Sequence, residues 1–166
     1  MLATASYRSV LKKVFFVDLD RCIGCKSCQA ACSREHFGKP LVFVQTMEEH
    51  AVPLHCQHCE TNPCIKACPK EAIEKTDQGI VLVNEIKCIG CSACLTACPF
   101  GILQLDEQRK VVVKCDLCKD KVEAGEFPTC VRTCPAEAAK FIPCIGCNIC
   151  AVACPFAKRF GPLPKW

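Results

Sequence analysis

The sequence predicts an α+β fold of short hairpins and helices packed around metal–thiolate groups in place of a carbon core. Three observations predict it. Cysteine supplies 20 of 166 residues, about 12%, above the roughly 8–10% at which a chain is either a disulfide scaffold or a metal protein. Those cysteines fall into five groups of four, each closing with a three-residue gap before its last member. The segments between groups read as strand, turn and returning strand.

The compartment separates scaffold from metal protein. Met1 to Leu11 holds no secretory signal, and the apolar run Val14-Phe15-Phe16-Val17 stops at Asp18 with no twin arginine before it. No stretch approaches the roughly 18 apolar residues of a membrane span. The expected location is therefore a reducing cytoplasm, in an anaerobic setting, where thiols hold metal rather than form bridges. The 51% hydrophobic content counts cysteine, leaving about 39% for ordinary apolar side chains. That is a thin core, which metal can replace in small domains.

Spacing identifies the metal. The groups are Cys22, Cys25, Cys28, Cys32; Cys56, Cys59, Cys64, Cys68; Cys88, Cys91, Cys94, Cys98; Cys115, Cys118, Cys130, Cys134; and Cys144, Cys147, Cys150, Cys154. The first, third and fifth have the pattern C-x2-C-x2-C-x3-C, and Pro69, Pro99, Pro135 and Pro155 follow the last cysteine of every group but the first. This is the bacterial ferredoxin run for a [4Fe–4S] cluster. Three thiolates on a tight loop cover three corners, while the fourth, on the following helix, faces away and serves the cluster of a partner motif. Gly24, Gly90 and Gly146 stand inside loops where backbone must approach sulfide closely.

Zinc is the rival for the fourth group, whose Cys115-x2-Cys118-x11-Cys130 spacing resembles a ribbon in isolation. A third cysteine two residues after a C-x2-C pair, as in its neighbours, gives tetrahedral zinc no advantage. Full cysteine sets leave His36, His50, His55 and His58 as surface or packing residues.

The connections complete the fold class: tandem bacterial ferredoxin-like 2x[4Fe–4S] modules with short hairpins and helices and a cluster-dominated core. Strand candidates are Lys13 to Asp18, Leu41 to Gln45, Ile80 to Val83, Ile102 to Leu105 and Val111 to Val113, with a short strand at Glu71-Ala-Ile. Lys119 to Thr129 is a polar insertion within the fourth group.

The elongated second group, ending Cys64-Ile-Lys-Ala-Cys68-Pro69, and the 11-residue gap of the fourth resemble the four-cluster electron-transfer subunits of dimethyl sulfoxide reductase, formate dehydrogenase and hydrogenases. The opening Phe16-Val-Asp-Leu-Asp-Arg-Cys-Ile-Gly-Cys-Lys-Ser-Cys is similar to the ferredoxin associated with carbon monoxide dehydrogenase. The resemblance implies a four-cluster domain over 14–141 and a C-terminal extra motif with a basic tail over 142–166. It implies that groups one and four pair, as do groups two and three. The implied ligand sets are Cys22, Cys25, Cys28 with Cys134; Cys115, Cys118, Cys130 with Cys32; Cys56, Cys59, Cys64 with Cys98; and Cys88, Cys91, Cys94 with Cys68. Ser33 departs from the pattern, standing where proline follows the other groups.

The fifth group has no intrachain partner. Only residues 135–143 separate Cys134 from Cys144, too short for the hairpin joining paired modules. A fifth [4Fe–4S] cluster is expected, either closed by Cys144, Cys147, Cys150 and Cys154 alone or exchanging Cys154 with a second chain as a two-fold homodimer.

No P-loop, dinucleotide fingerprint or free nucleophile is present, because every cysteine is committed. The sequence reads as an electron-transfer component without its own catalytic site, relaying single electrons between an oxidoreductase and a second redox partner. Carbon monoxide dehydrogenase is the first choice of partner, with a hydrogenase or formate dehydrogenase next. A freely diffusing polyferredoxin is the alternative. The formal charge of +4 does not indicate nucleic acid, since each oxidised cluster with four thiolates adds about −2 and leaves the loaded chain at about −4 to −6.

Overall fold

A computed structural model describes residues 12–47 and 50–144. Its elements run β1 (Lys12–Val17), α1 (Ser27–Glu35), β2 (Val42–Met47), β3 (His50–His55), α2 (Pro63–Lys66), β4 (Ile73–Lys75) and β5 (Val81–Val83). There follow α3 (Ala93–Ala97), β6 (Gln104–Asp106), β7 (Val111–Val113), α4 (Lys119–Glu123), α5 (Thr129–Arg132) and β8 (Ala139–Cys144). The small mixed helix and strand fold expected from the sequence is present. Cys147, Cys150 and Cys154 of the fifth group lie outside the described residues.

The strands form four two-stranded antiparallel sheets. Three are local ribbons, β2–β3, β4–β5 and β6–β7. The fourth pairs the ends of the described chain, β1 with β8, in the register Phe15 opposite Phe141 and Val17 opposite Ala139. The residues between Cys134 and Cys144 thus return to the first strand.

Helix length follows proline. A residue that precedes proline is pushed out of the α region. Accordingly α2, α3 and α5 stop after four, five and four residues, before Cys68-Pro69, Cys98-Pro99 and Cys134-Pro135. Cys98 has already turned extended, at φ −77° and ψ 116°. The last cysteine of these groups therefore lies just beyond its helix, not on it as the spacing suggested. Ser33 carries no such restriction, and α1 runs through Cys32 to Glu35 over nine residues.

The interior divides into two apolar clusters. One joins Leu41, Val42, Ile80, Leu117, Val122 and Phe141 with Cys32 and Cys115. The other joins Ile73, Val81, Ile102, Leu103 and Val112 with Cys64 and Cys94. Half-buried Cys56 packs against both. Helices α1 and α5 pack together beside the first cluster, and α2 and α3 beside the second. Each fully buried valine or leucine contributes roughly 1.5–3 kcal/mol. With so few of them, the cysteine thiols form a large part of each core.

Candidate functional site

Four loops carry the cysteines, and they share one backbone device. The residue before the second cysteine has positive φ in every case: Gly24 at 65°, His58 at 47°, Gly90 at 66° and Leu117 at 59°. A left-handed residue at this point curls successive N–H groups inward, the nest that receives anions and iron–sulfur sites. Glycine adopts it freely. Gly90 also needs its missing side chain, because a Cβ there would stand 2.5 Å from the Lys110 carbonyl oxygen. His58 and Leu117 take the same conformation without glycine, a local strain held by their surroundings.

The loops bring cysteines from different groups together. One cleft is lined by Cys22, Cys25, Cys28 and Cys134. A second is lined by Cys32, Cys115, Cys118 and Cys130, and a third by Cys68, Cys88, Cys91 and Cys94. The remaining thiols meet as a fourth set, with Cys59 in the field of Cys56 and Cys98, and Cys64 in that of Cys56. Each first-to-third run of one group thus faces the last cysteine of another. The Cys144 backbone ends β8.

These thiols are poor sites for isolated negative charge. Burial pushes Cys32 and Cys94 up to about 11 and Cys130 to about 12. It raises Cys28, Cys59, Cys64, Cys115 and Cys118 in the same direction. Only thiolates ligate metal, so four converging buried sulfurs call for a polycation among them. Backbone amides already point at the sulfurs: Leu41 N–H donates to Cys32 Sγ at 3.3 Å, Ala72 to Cys68 at 3.3 Å, Val112 to Cys88 at 3.4 Å and Leu117 to Cys115 at 3.4 Å. Cys25 departs from the trend. A hydrogen bond with the Ser27 hydroxyl, 3.3 Å away, lowers its pKa.

The histidines are packing residues of unequal depth. Buried His55 stacks edge-on against Phe15 with ring centroids 4.3 Å apart, and burial lowers its pKa to about 4. His58 is more informative. Its Nδ1 accepts the Val81 N–H at 2.8 Å, so its neutral ring carries the proton on Nε2. Burial, with the nearby Lys114 charge, lowers its pKa to about 2. Nε2 is buried without a hydrogen-bond partner among the described residues. A buried donor inside the Cys56–Cys59 loop needs an acceptor, and a sulfide-rich cluster fits that need. The sulfur sets and this donor together fit [4Fe–4S] clusters.

The described cysteine loops fall within known sequence families. A profile of the 4Fe-4S dicluster domain matches residues 47–143, and 4Fe-4S binding domain profiles match residues 13–34 and 143–157. The chain belongs to the 4Fe-4S dicluster family. This family member is similar to a component of the anaerobic dimethyl sulfoxide reductase of Escherichia coli, with 37% identity over 148 positions covering 78% of this chain and 72% of the relative. It is also similar to the thiosulfate reductase electron transfer subunit PhsB of Salmonella typhi, at 39% over 142 positions, 77% of this chain and 74% of the relative. A sulfite dehydrogenase subunit from Allochromatium vinosum is 37% identical over 158 positions, 75% of this chain and 66% of the relative. The chain thus carries several [4Fe–4S] binding domains, and the Salmonella typhi relative is by name an electron transfer subunit. None of these three relatives belongs to a carbon monoxide dehydrogenase, hydrogenase or formate dehydrogenase by name.

Proposed function

We propose that the four converging cysteine sets are the four cluster-ligand sets and that the chain conducts single electrons along them. Cys22, Cys25, Cys28 and Cys134 hold one cluster, and Cys32, Cys115, Cys118 and Cys130 the next. Cys56, Cys59, Cys64 and Cys98 hold the third, and Cys68, Cys88, Cys91 and Cys94 the fourth. The observation that carries this reading is the crossing, since in each set three thiols of one group meet the last thiol of another. It also supports two tandem 2x[4Fe–4S] modules, groups one with four and two with three.

When bound, a [4Fe–4S] cluster takes up and gives back one electron. The protein's part is to fix the order of the sites and keep water from the middle of the path. Cys130 lies in the field of Cys28, joining the second set to the first. Cys94 lies in the field of Cys64, joining the fourth set to the third. Lys114 acts on both Cys64 and Cys115, so the second and third sets adjoin. The only exposed cysteines among the described residues, Cys25 and Cys91, fall in the first and fourth sets. Electrons therefore enter and leave at opposite ends of the path.

The partner we infer is an oxidoreductase acting on a sulfoxide or a sulfur oxoanion, as the names of the three relatives indicate for those proteins. This replaces carbon monoxide dehydrogenase as first choice. No helix among the described residues is long and apolar enough to cross a membrane, and a reducing compartment suits the thiols. The 4Fe-4S binding match over residues 143–157 supports a fifth cluster on the fifth group. Iron analysis of anaerobically purified protein tests the reading: about 16 iron per chain is expected for four clusters and about 20 for five. Stoichiometric zinc with little iron would overturn it. Copurification with a large oxidoreductase separates a bound subunit from a freely diffusing polyferredoxin.

A further inference from the structure

Lys114 follows β7 and immediately precedes the fourth cysteine group, and only 6% of its surface is exposed. Its ammonium donates to the Val81 carbonyl of β5 and to the Cys115 carbonyl, the latter at 2.7 Å. Both acceptors are uncharged. A buried ammonium without a nearby anion is costly, because carbonyls replace its hydration only in part. Lys75, the other lysine acting on this region, differs: its Nζ lies 3.2 Å from the Glu60 carboxylate, which offsets its charge.

Val81 packs in the apolar cluster that holds Cys64, and Cys115 opens the fourth cysteine group, so the two carbonyl bonds pin the Lys114 ammonium between the loops of Cys64 and Cys115. These belong to the second and third sets, the adjoining pair at the middle of the path. We propose that Lys114 is a positioning residue for electron transfer, whose fixed positive charge raises the reduction potentials of the two central clusters relative to the end clusters. The inference rests on the four ligand sets proposed above. Reduction adds one negative charge to a cluster, so a fixed cation beside it favours the reduced form.

The second set also meets a carboxylate. Asp116, next to Cys115, accepts the Cys118 N–H at 2.8 Å. Its negative charge holds the second set lower.

Anaerobic redox titration followed by electron paramagnetic resonance on the full iron-loaded chain tests this. Lys114→Met should retain full iron and lower two of the four potentials, those of the second and third sets, each by on the order of tenfold in the one-electron equilibrium, or 59 mV at n = 1. The end potentials should stay in place. Lys114→Arg should restore the central pair, and Asp116→Asn should raise the second set alone. Unchanged potentials in fully loaded Lys114→Met, or an equal shift of all four, would overturn the proposal. If Lys114→Met does not load iron, Lys114→Gln is read in the same way. Failure of both neutral variants to load, with Lys114→Arg loading, would assign Lys114 a structural role instead and also overturn it. Iron content of the unsubstituted protein separates these outcomes from failure of the ligand reading, which would show as fewer than four clusters before any substitution.

Discussion

His58 and Lys114 hold opposite sides of one peptide residue: His58 Nδ1 accepts the Val81 N–H at 2.8 Å, and the Lys114 ammonium donates to the Val81 carbonyl. Val81 is itself 1% exposed. The second loop and the entrance to the fourth are thus tied through the backbone of β5. Removing the imidazole leaves a buried N–H without its acceptor.

His58→Ala is therefore expected to cost about 1–3 kcal/mol through that orphaned donor. His58→Asn should be milder, since asparagine tolerates positive φ and retains an acceptor. His58→Val should be the worst, combining the lost acceptor with a β-branched residue at φ 47°. The thermal midpoint for loss of the brown visible absorbance should fall in the order Asn, Ala, Val. Equal midpoints for all three would show that the Val81 tie contributes nothing.

Gly90→Ala tests the third loop. Its Cβ would stand 2.5 Å from the Lys110 carbonyl oxygen. Lys110 closes the β6–β7 turn, in which Asp106 Oδ1 accepts the Gln108 and Arg109 N–H groups at 3.1 and 3.2 Å and Asp106 pairs with Lys39. The turn is anchored on two sides and has little room to yield. Loss of about four irons per chain is expected, one cluster's worth. Gly125→Ala, with positive φ but nothing within 4 Å, should keep its iron and lose only roughly 1–2 kcal/mol. Full iron in Gly90→Ala would refute the close-approach argument.

Much of this architecture is legible in the sequence, for identifiable reasons. Strands β1, β2, β5 and β7 are short apolar runs, and the β4–β5 hairpin announces its turn through Gly79, at φ 83°. Strand β3 is not legible, because Pro53 interrupts it; the proline is tolerated because β3 belongs to a two-stranded ribbon, opposite Val44. Strand β8 is missed because its partner is β1, far away in sequence, with no turn between them. Helix α4 lies in what reads as a polar insertion, where Lys119 and Glu123 pair at 3.0 Å while Val122 turns inward. Every cysteine of the four proposed ligand sets is evident from spacing. The left-handed turns at His58 and Leu117 are not, since neither is glycine. Lys114 looks in the sequence like the polar end of a valine strand, and only burial reveals its position between two sites.

Ser33→Pro should shorten α1. Proline at this position removes a helical N–H and clashes with the preceding turn, at a cost of about 3 kcal/mol or more. The helix end matters because Glu35 accepts the Thr129 hydroxyl at 3.0 Å and lies 3.2 Å from the Lys121 ammonium. These contacts tie α1 to α4 and α5, and hence group one to group four. The substitution should release iron preferentially from the first and second sets. Iron loss spread equally over all four sets, read by electron paramagnetic resonance, would show that the helix does not serve this pair in particular.

Solvent access predicts an order of oxidative damage. Cys25 and Cys91 are exposed, whereas Cys32, Cys115, Cys130 and Cys64 at the central sites are buried. Ile23 and Ile89, in the same loops as the exposed thiols, are themselves 69% and 57% exposed. An oxidant arriving from water therefore reaches the two end sites before the two central ones, and susceptibility follows exposure and thiolate character. With limiting ferricyanide, iron from the four described sites should leave in two phases, about half of it in the faster, as two clusters of four irons require. Electron paramagnetic resonance of the surviving half should retain the central signals and lose the end ones. A single phase removing all four clusters together, or survival of the end signals, would contradict the order of sites inferred from the cysteine contacts.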